Sequence, residues 1–204
     1  MGIRDMNYLR IQGLNGPIWA LIALDCHSYD IPQCAEGGEQ TTREGLVAEI
    51  LTSQCSDGGW TLAGDTADVD MSAMALTALA AYKEDDEVKA AVDAALVYLS
   101  DAQQEDGGFI SWGEPNSESC SQVIVALTAL GIDPTSDERF IKEGGTVLDA
   151  LCAFACEGGG FRHSSDQAEP DGMATEQGFY ALAAHDRYRQ GQTRLFDMTD
   201  IEGK

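Results

Sequence analysis

The sequence predicts an all-α protein, a ring (α/α toroid) of repeated helical hairpins of which about four are visible, on three observations. Asp57-Gly58-Gly59-Trp60 recurs as Asp106-Gly107-Gly108-Phe109 and, degenerately, as Gly158-Gly159-Gly160-Phe161, at spacings of 49 and 52 residues. A second string recurs in step with it: Met74-Ala-Leu-Thr-Ala-Leu79 matches Val125-Ala-Leu-Thr-Ala-Leu130, with looser echoes at 19–24 and 180–184. Finally, the two helices of each repeat differ in kind, one apolar on nearly every face and one apolar on a single stripe.

Gly16-Pro17 opens the first apolar helix, because proline is well placed in a helix's first turn. Leu46, Val47, Ile50 and Leu51 make one stripe over 42–54. The stretch 71–82 is small and apolar all round, which predicts a helix buried on most sides. Val88, Val92, Ala95, Leu96 and Leu99 then form a stripe opposite Glu87, Lys89, Asp93 and Asp101, as an outer helix requires. The pattern repeats as a buried helix around 120–130 and an outer one over 138–156. Each Gly-Gly pair is read as the positive-φ cap that ends an outer helix, with the aromatic packing back on the hairpin. No strand signal competes with the helical period. Alternation of buried and half-exposed helices is what two concentric rings produce, a straight solenoid being the competing architecture.

Twelve Lys and Arg against 35 Asp and Glu give a formal charge of −23, which repels phosphate backbones and anionic lipid. Nucleic acid is therefore excluded as a partner. No apolar run reaches the ~18 residues of a spanning helix, so direct membrane insertion is not expected. The first residues lack the apolar core of a leader, although an exported chain whose leader had been removed would look the same. Cys26, Cys34, Cys55, Cys120, Cys152 and Cys156 follow no staple spacing and read as small buried hydrophobes.

The string Gln54-Cys-Ser-Asp57-Gly58-Gly59-Trp60 resembles the Q-x-x-D-G-G-[WF] repeat of the terpenoid cyclase and protein prenyltransferase superfamily of α/α toroids. Within it, Asn15-Gly-Pro-Ile-Trp-Ala-Leu-Ile-Ala-Leu-Asp25 and Asp171-Gly-Met-Ala-Thr-Glu-Gln-Gly-Phe-Tyr180 are most similar to the prenyltransferase-like domain of exported Gram-positive surface proteins. That domain is related to the barrel of the cobalamin carriers intrinsic factor and transcobalamin. Such toroids close with five or six hairpins, so the resemblance implies a missing N-terminal portion, an open ring or a smaller variant. Residues 1–15 are then a lead-in, the end of a truncated preceding repeat; 16–196 form the toroid domain, and 197–204 a polar tail.

Three chemistries occur on that scaffold. Proton-initiated cyclisation uses D-x-D-D-T-A, its middle Asp as the acid. Here Asp68-Val69-Asp70-Met71-Ser72-Ala73 keeps Asp68 and Asp70 but has Met71 where the third carboxylate belongs. Zinc-dependent prenyl transfer needs Asp, Cys and His ligands. Glu118-Ser119-Cys120 imitates the first two, but Ala174 stands where the histidine would be, while His27, His163 and His185 lie elsewhere. A zinc centre is not expected. The complement-like thioester needs a Cys three residues before Gln40, where Gly37 stands. His163-Ser164-Ser165-Asp166 contains triad residue types, but adjacency is not triad geometry.

What remains is a run of acids after each aromatic turn: Asp65, Asp68 and Asp70; Glu114 and Glu118; Asp166, Glu169, Asp171 and Glu176. At helix starts such acids also serve the helix dipole. With Trp60, Phe109, Trp112 and Phe161 they are read as a rim around an apolar cavity. The expected function is non-catalytic binding of a small molecule or protein, in a secreted or cell-surface protein, without a cofactor of its own. The resemblance makes cobalamin a candidate ligand, shared with a second domain. The alternative is an isoprenoid enzyme with Asp70 as general acid.

Overall fold

A computed structural model describes residues 2–200, and among them eight α-helices account for nearly all regular structure. A short α1 (Met6–Arg10) precedes α2 (Asn15–Asp25), α3 (Arg43–Thr52), α4 (Val69–Leu79), α5 (Asp86–Ala102), α6 (Ser117–Leu130), α7 (Val147–Ala153) and α8 (Gly172–Arg189). Successive even-numbered helices pack on one another: α2 on α4, α4 on α6, α6 on α8. Each of α3, α5 and α7 lies against the even-numbered helix just before it. Mostly buried and half-exposed helices alternate over α2–α7, whereas only five of the eighteen residues of α8 are buried.

Burial explains the alternation. Twelve of the fourteen residues of α6 are buried, and small side chains such as Ser119, Ser121 and Ala126 let both neighbours approach. Its buried hydroxyls bond back into the helix: Ser121 Oγ donates to the carbonyl of Ser117 and Thr128 Oγ1 to that of Ile124, both at 2.8 Å. In α5 only the stripe Val88, Ala91, Val92, Ala95, Leu96 and Leu99 is buried. Asp68, Asn116 and Asp171 cap α4, α6 and α8, each side chain accepting main-chain N–H bonds from the first turn.

Several expectations need correction. The Gly-Gly pairs do not cap the outer helices, which end at Ser53, Gln103 and Phe154. Instead Gly58, Gly107 and Gly159 take positive φ inside a tight loop beyond each helix, closed by bonds such as Cys55 N–H to the Gly59 carbonyl at 2.8 Å. The left-handed helix cap is Gly131, after α6. Trp60 and Phe109 are wholly buried and Phe161 nearly so, which makes them core rather than rim.

Short strands do form, β1 (Ile110–Ser111) with β2 (Glu114–Pro115) and β3 (Ile141–Lys142) with β4 (Gly145–Thr146). The second hairpin interrupts the helix expected over 138–156, because Gly144 N–H instead bonds the Glu105 carbonyl at 2.8 Å. Only Cys120 is a buried thiol, while Cys152 is exposed. The polar tail is docked as far as Asp200: Met198 N–H donates to the Cys26 carbonyl at 2.7 Å and Arg187 pairs with Asp200 at 2.8 Å. Residues 201–204 lie outside the described residues.

Candidate functional site

The N-terminal ends of α4, α6 and α8 surround a recess of about 300 Å³. Its floor and walls come from equivalent positions in the three helices. The residues two and six past each N-cap are Asp70 and Met74 on α4, Glu118 and Gln122 on α6, and Met173 and Gln177 on α8, and all six line it. Positions four apart share a helix face, so three helices present one face to a common space.

The β1–β2 hairpin covers one side. Its two-residue turn, Trp112-Gly113, has φ of +53° and +92°, the mirror-image geometry that matches strand twist. Trp112 is 94% exposed and adopts a left-handed backbone that disfavours any side chain with a Cβ. Ser111, at the base, donates to Asp70 Oδ2 at 2.7 Å. Asp70 Oδ1 is buried with no hydrogen-bond partner among the described residues.

His163 closes the opposite side. Its carbonyl accepts from Ser117 N–H at 3.0 Å, which fixes the loop after Phe161 against the start of α6. The imidazole Nδ1 is 2.9 Å from both carboxylate oxygens of Glu118, and Nε2 is 3.1 Å from Glu114 Oε1. The Glu118 hydrogen bond, opposed by partial burial and aided by Glu114, raises the histidine's pKa above its ordinary value. Behind the recess, Gln122 Nε2 donates to Gln177 Oε1 at 3.0 Å and to the Tyr180 hydroxyl at 2.6 Å. Burial, helped by Glu176, Asp70 and Glu118, holds Tyr180 protonated well beyond its usual range.

Of the residues expected at a rim, Asp70, Trp112, Glu114 and Glu118 come together here. Asp65, Asp68, Asp171 and Glu176 do not line it. Asp68 and Asp171 are helix caps, and burial raises the Asp68 pKa against the pull of the Met71 N–H. His163, Gln122, Gln177, Met74 and Met173 were not anticipated. The signal for the last four was available: aligning the repeats on their N-caps, rather than on the Gly-Gly turn, selects them. Cys120 faces the core, and burial pushes its thiol up to about 12. It offers no thiolate to the recess. Among the described residues no group of three His, Cys, Asp or Glu side chains is arranged to hold a metal ion, and no helix is long and apolar enough to cross a membrane.

No family model and no curated protein matches the chain.

Proposed function

We propose that the chain is a non-catalytic ligand-binding module, an α/α toroid of the terpenoid cyclase and prenyltransferase type, in which the Asp70–Trp112–Glu118 recess holds a small polar molecule. The observation that carries this reading is the convergence of the same two positions of α4, α6 and α8 on one space. Core packing alone gives no reason to place Asp70, Glu118, Gln122 and Gln177 on that face. Trp112 adds to it: backbone strain and full exposure at a hairpin tip are both unfavourable for stability, and such outliers cluster where function requires them. The secreted or cell-surface setting belongs to the same proposal and rests on the resemblance of the repeats.

The test is a thermal-shift panel of small organic cations, neutral polyols and carboxylates on the full chain, repeated with Trp112→Ala and Gln122→Ala. At least one class is expected to raise the melting temperature of the parent and to lose that effect in the variants. No shift from any class, or shifts that both variants retain, would overturn the reading.

The alternative, an isoprenoid enzyme with Asp70 as the acid, draws support from the place of Asp70 in the recess. Met71, in the position of the missing third carboxylate, is buried away from solvent. Product formed from a polyprenyl substrate and lost in Asp70→Asn would favour it.

A further inference from the structure

The hydrogen-bonding inventory of the recess leans towards acceptors. Most of its inner donors are engaged, Ser111 Oγ on Asp70, both bonds of Gln122 Nε2 on Gln177 and Tyr180, and Asn116 Nδ2 on the Glu114 carbonyl at 3.2 Å, while the Gln177 amide N–H group remains open among the described residues. Its acceptors are open. Gln122 is only 9% exposed, yet its Oε1, on a side chain that lines the recess, accepts no hydrogen bond among the described residues. Asp70 Oδ1 is likewise without a partner. A buried acceptor left unsatisfied is unfavourable, and with Asp70 Oδ1 in that state an occupant that brings N–H or O–H donors is favoured over one that brings acceptors.

Charge narrows the choice. Asp70, Glu114 and Glu118 place three carboxylates around the space. The three helix N-termini offset them by roughly half a charge each, which leaves a deficit of about one and a half positive charges when His163 is neutral. A monocation offsets most of that deficit, while a neutral polyol offsets none of it. The apolar wall of Met74, Met173 and Trp112 adds room for a short hydrocarbon chain.

Resting on the reading that the recess binds a ligand, we propose that its occupant is an N–H-bearing organic cation, an alkylammonium or alkylguanidinium group. It donates to Gln122 Oε1 and the Asp70 carboxylate and takes the place of His163 between Glu114 and Glu118. His163 is then a built-in stand-in for the ligand's charge. The charged groups around the imidazole are Glu118 from α6, Glu114 from the β1–β2 hairpin, Asp171 at the start of α8 and Asp70 across the recess. All are acidic, so the imidazolium and the ligand compete for the same partners. Affinity accordingly rises with pH as His163 loses its proton, over a range in which an alkylammonium, with a pKa of about 10, keeps its own.

Calorimetry on the full chain tests this with four probes of matched chain length: n-butylammonium, n-butylguanidinium, butyltrimethylammonium and n-butanol. The first two are expected to bind about tenfold tighter than the last two, since the trimethyl probe carries charge without donors and the alcohol a donor without charge. His163→Gln, which keeps a polar side chain, should bind tighter at acidic pH and lose the pH dependence. Gln122→Met, which keeps the volume, should weaken binding of the N–H cations towards that of the trimethyl probe. Equal binding of all four probes, or a pH profile unchanged in His163→Gln, overturns the assignment of ligand class and leaves a general binding recess standing. Binding of none of the four, with a shift from another class in the thermal panel, overturns the assignment alone. Binding of nothing in either experiment removes both.

Discussion

The side-chain amide of Gln54 donates to the main-chain carbonyl of Ala91 at 2.8 Å, across 37 residues of chain, while also donating to the Gly58 carbonyl at 2.7 Å. Gln103 repeats the arrangement one hairpin later, to Phe140 at 3.1 Å and Gly107 at 2.8 Å. The glutamine that opens each of the first two repeat strings thus ties its own turn to the next stretch of chain.

Removing the amide strands two carbonyls at once. Gln54→Ala and Gln103→Ala are each expected to lower stability by about 1–3 kcal/mol, with the larger loss at Gln103, which is buried. Urea unfolding measures both. The third repeat has Ala155 in the equivalent place, so Ala155→Gln should bring no comparable gain unless a matching pair of carbonyls lies within reach. Losses of a few tenths of a kcal/mol at both glutamines would mean that water replaces these bonds freely.

Positive φ alone does not rank the glycines. Gly64 has φ of +94° with open space around it, whereas a Cβ on Gly107, at φ +87°, would overlap the carbonyl oxygen of Thr146. Gly64→Ala should therefore cost about 1–2 kcal/mol, the backbone strain only. Gly107→Ala adds a backbone collision and should cost ~3 kcal/mol or more. Equal losses in denaturant melts would show that the β3–β4 hairpin yields easily.

The helical character of the chain was legible because its signals are local: the apolar period and the residues that start each helix. Burial of Trp60 followed less directly, since its indole N–H reaches the Ile50 carbonyl at 2.7 Å only once the loop has folded back. The break in the helix expected over 138–156 was visible as Gly144-Gly145, but the apolar stripe of Ile141, Leu148 and Leu151 outweighed it. The partner that decides the matter, the Glu105 carbonyl, is 39 residues away. His163 was illegible for the same reason. Nothing local brings it to Glu118, which it meets because its own carbonyl is bonded to Ser117 N–H.

The His163 pair also links stability to pH. The folded-state pKa of His163 lies above its ordinary value near 6.5, so its contribution is complete below that value and is lost as pH rises through the raised one. The difference in melting temperature between the parent and His163→Gln should thus be largest below the ordinary histidine value and shrink as pH rises above it. The side chain is 35% exposed, which keeps the effect modest. A difference that grows with pH would mean that neutral histidine, not imidazolium, is the stabilising form.

Trp112 separates stability from binding. Asparagine followed by glycine is the preferred pair for the mirror-image turn, and asparagine tolerates the left-handed backbone that tryptophan resists. Trp112→Asn should therefore stabilise the fold by about 1 kcal/mol. The indole is exposed and little packing is lost with it, whereas the recess loses one wall. Chemical denaturation and probe titration on the same sample should then move in opposite directions, with higher stability and weaker binding. If stability rises and affinity is untouched, the aromatic tip lies outside the binding surface. If stability falls instead, the indole contributes to packing that its 94% exposure does not suggest.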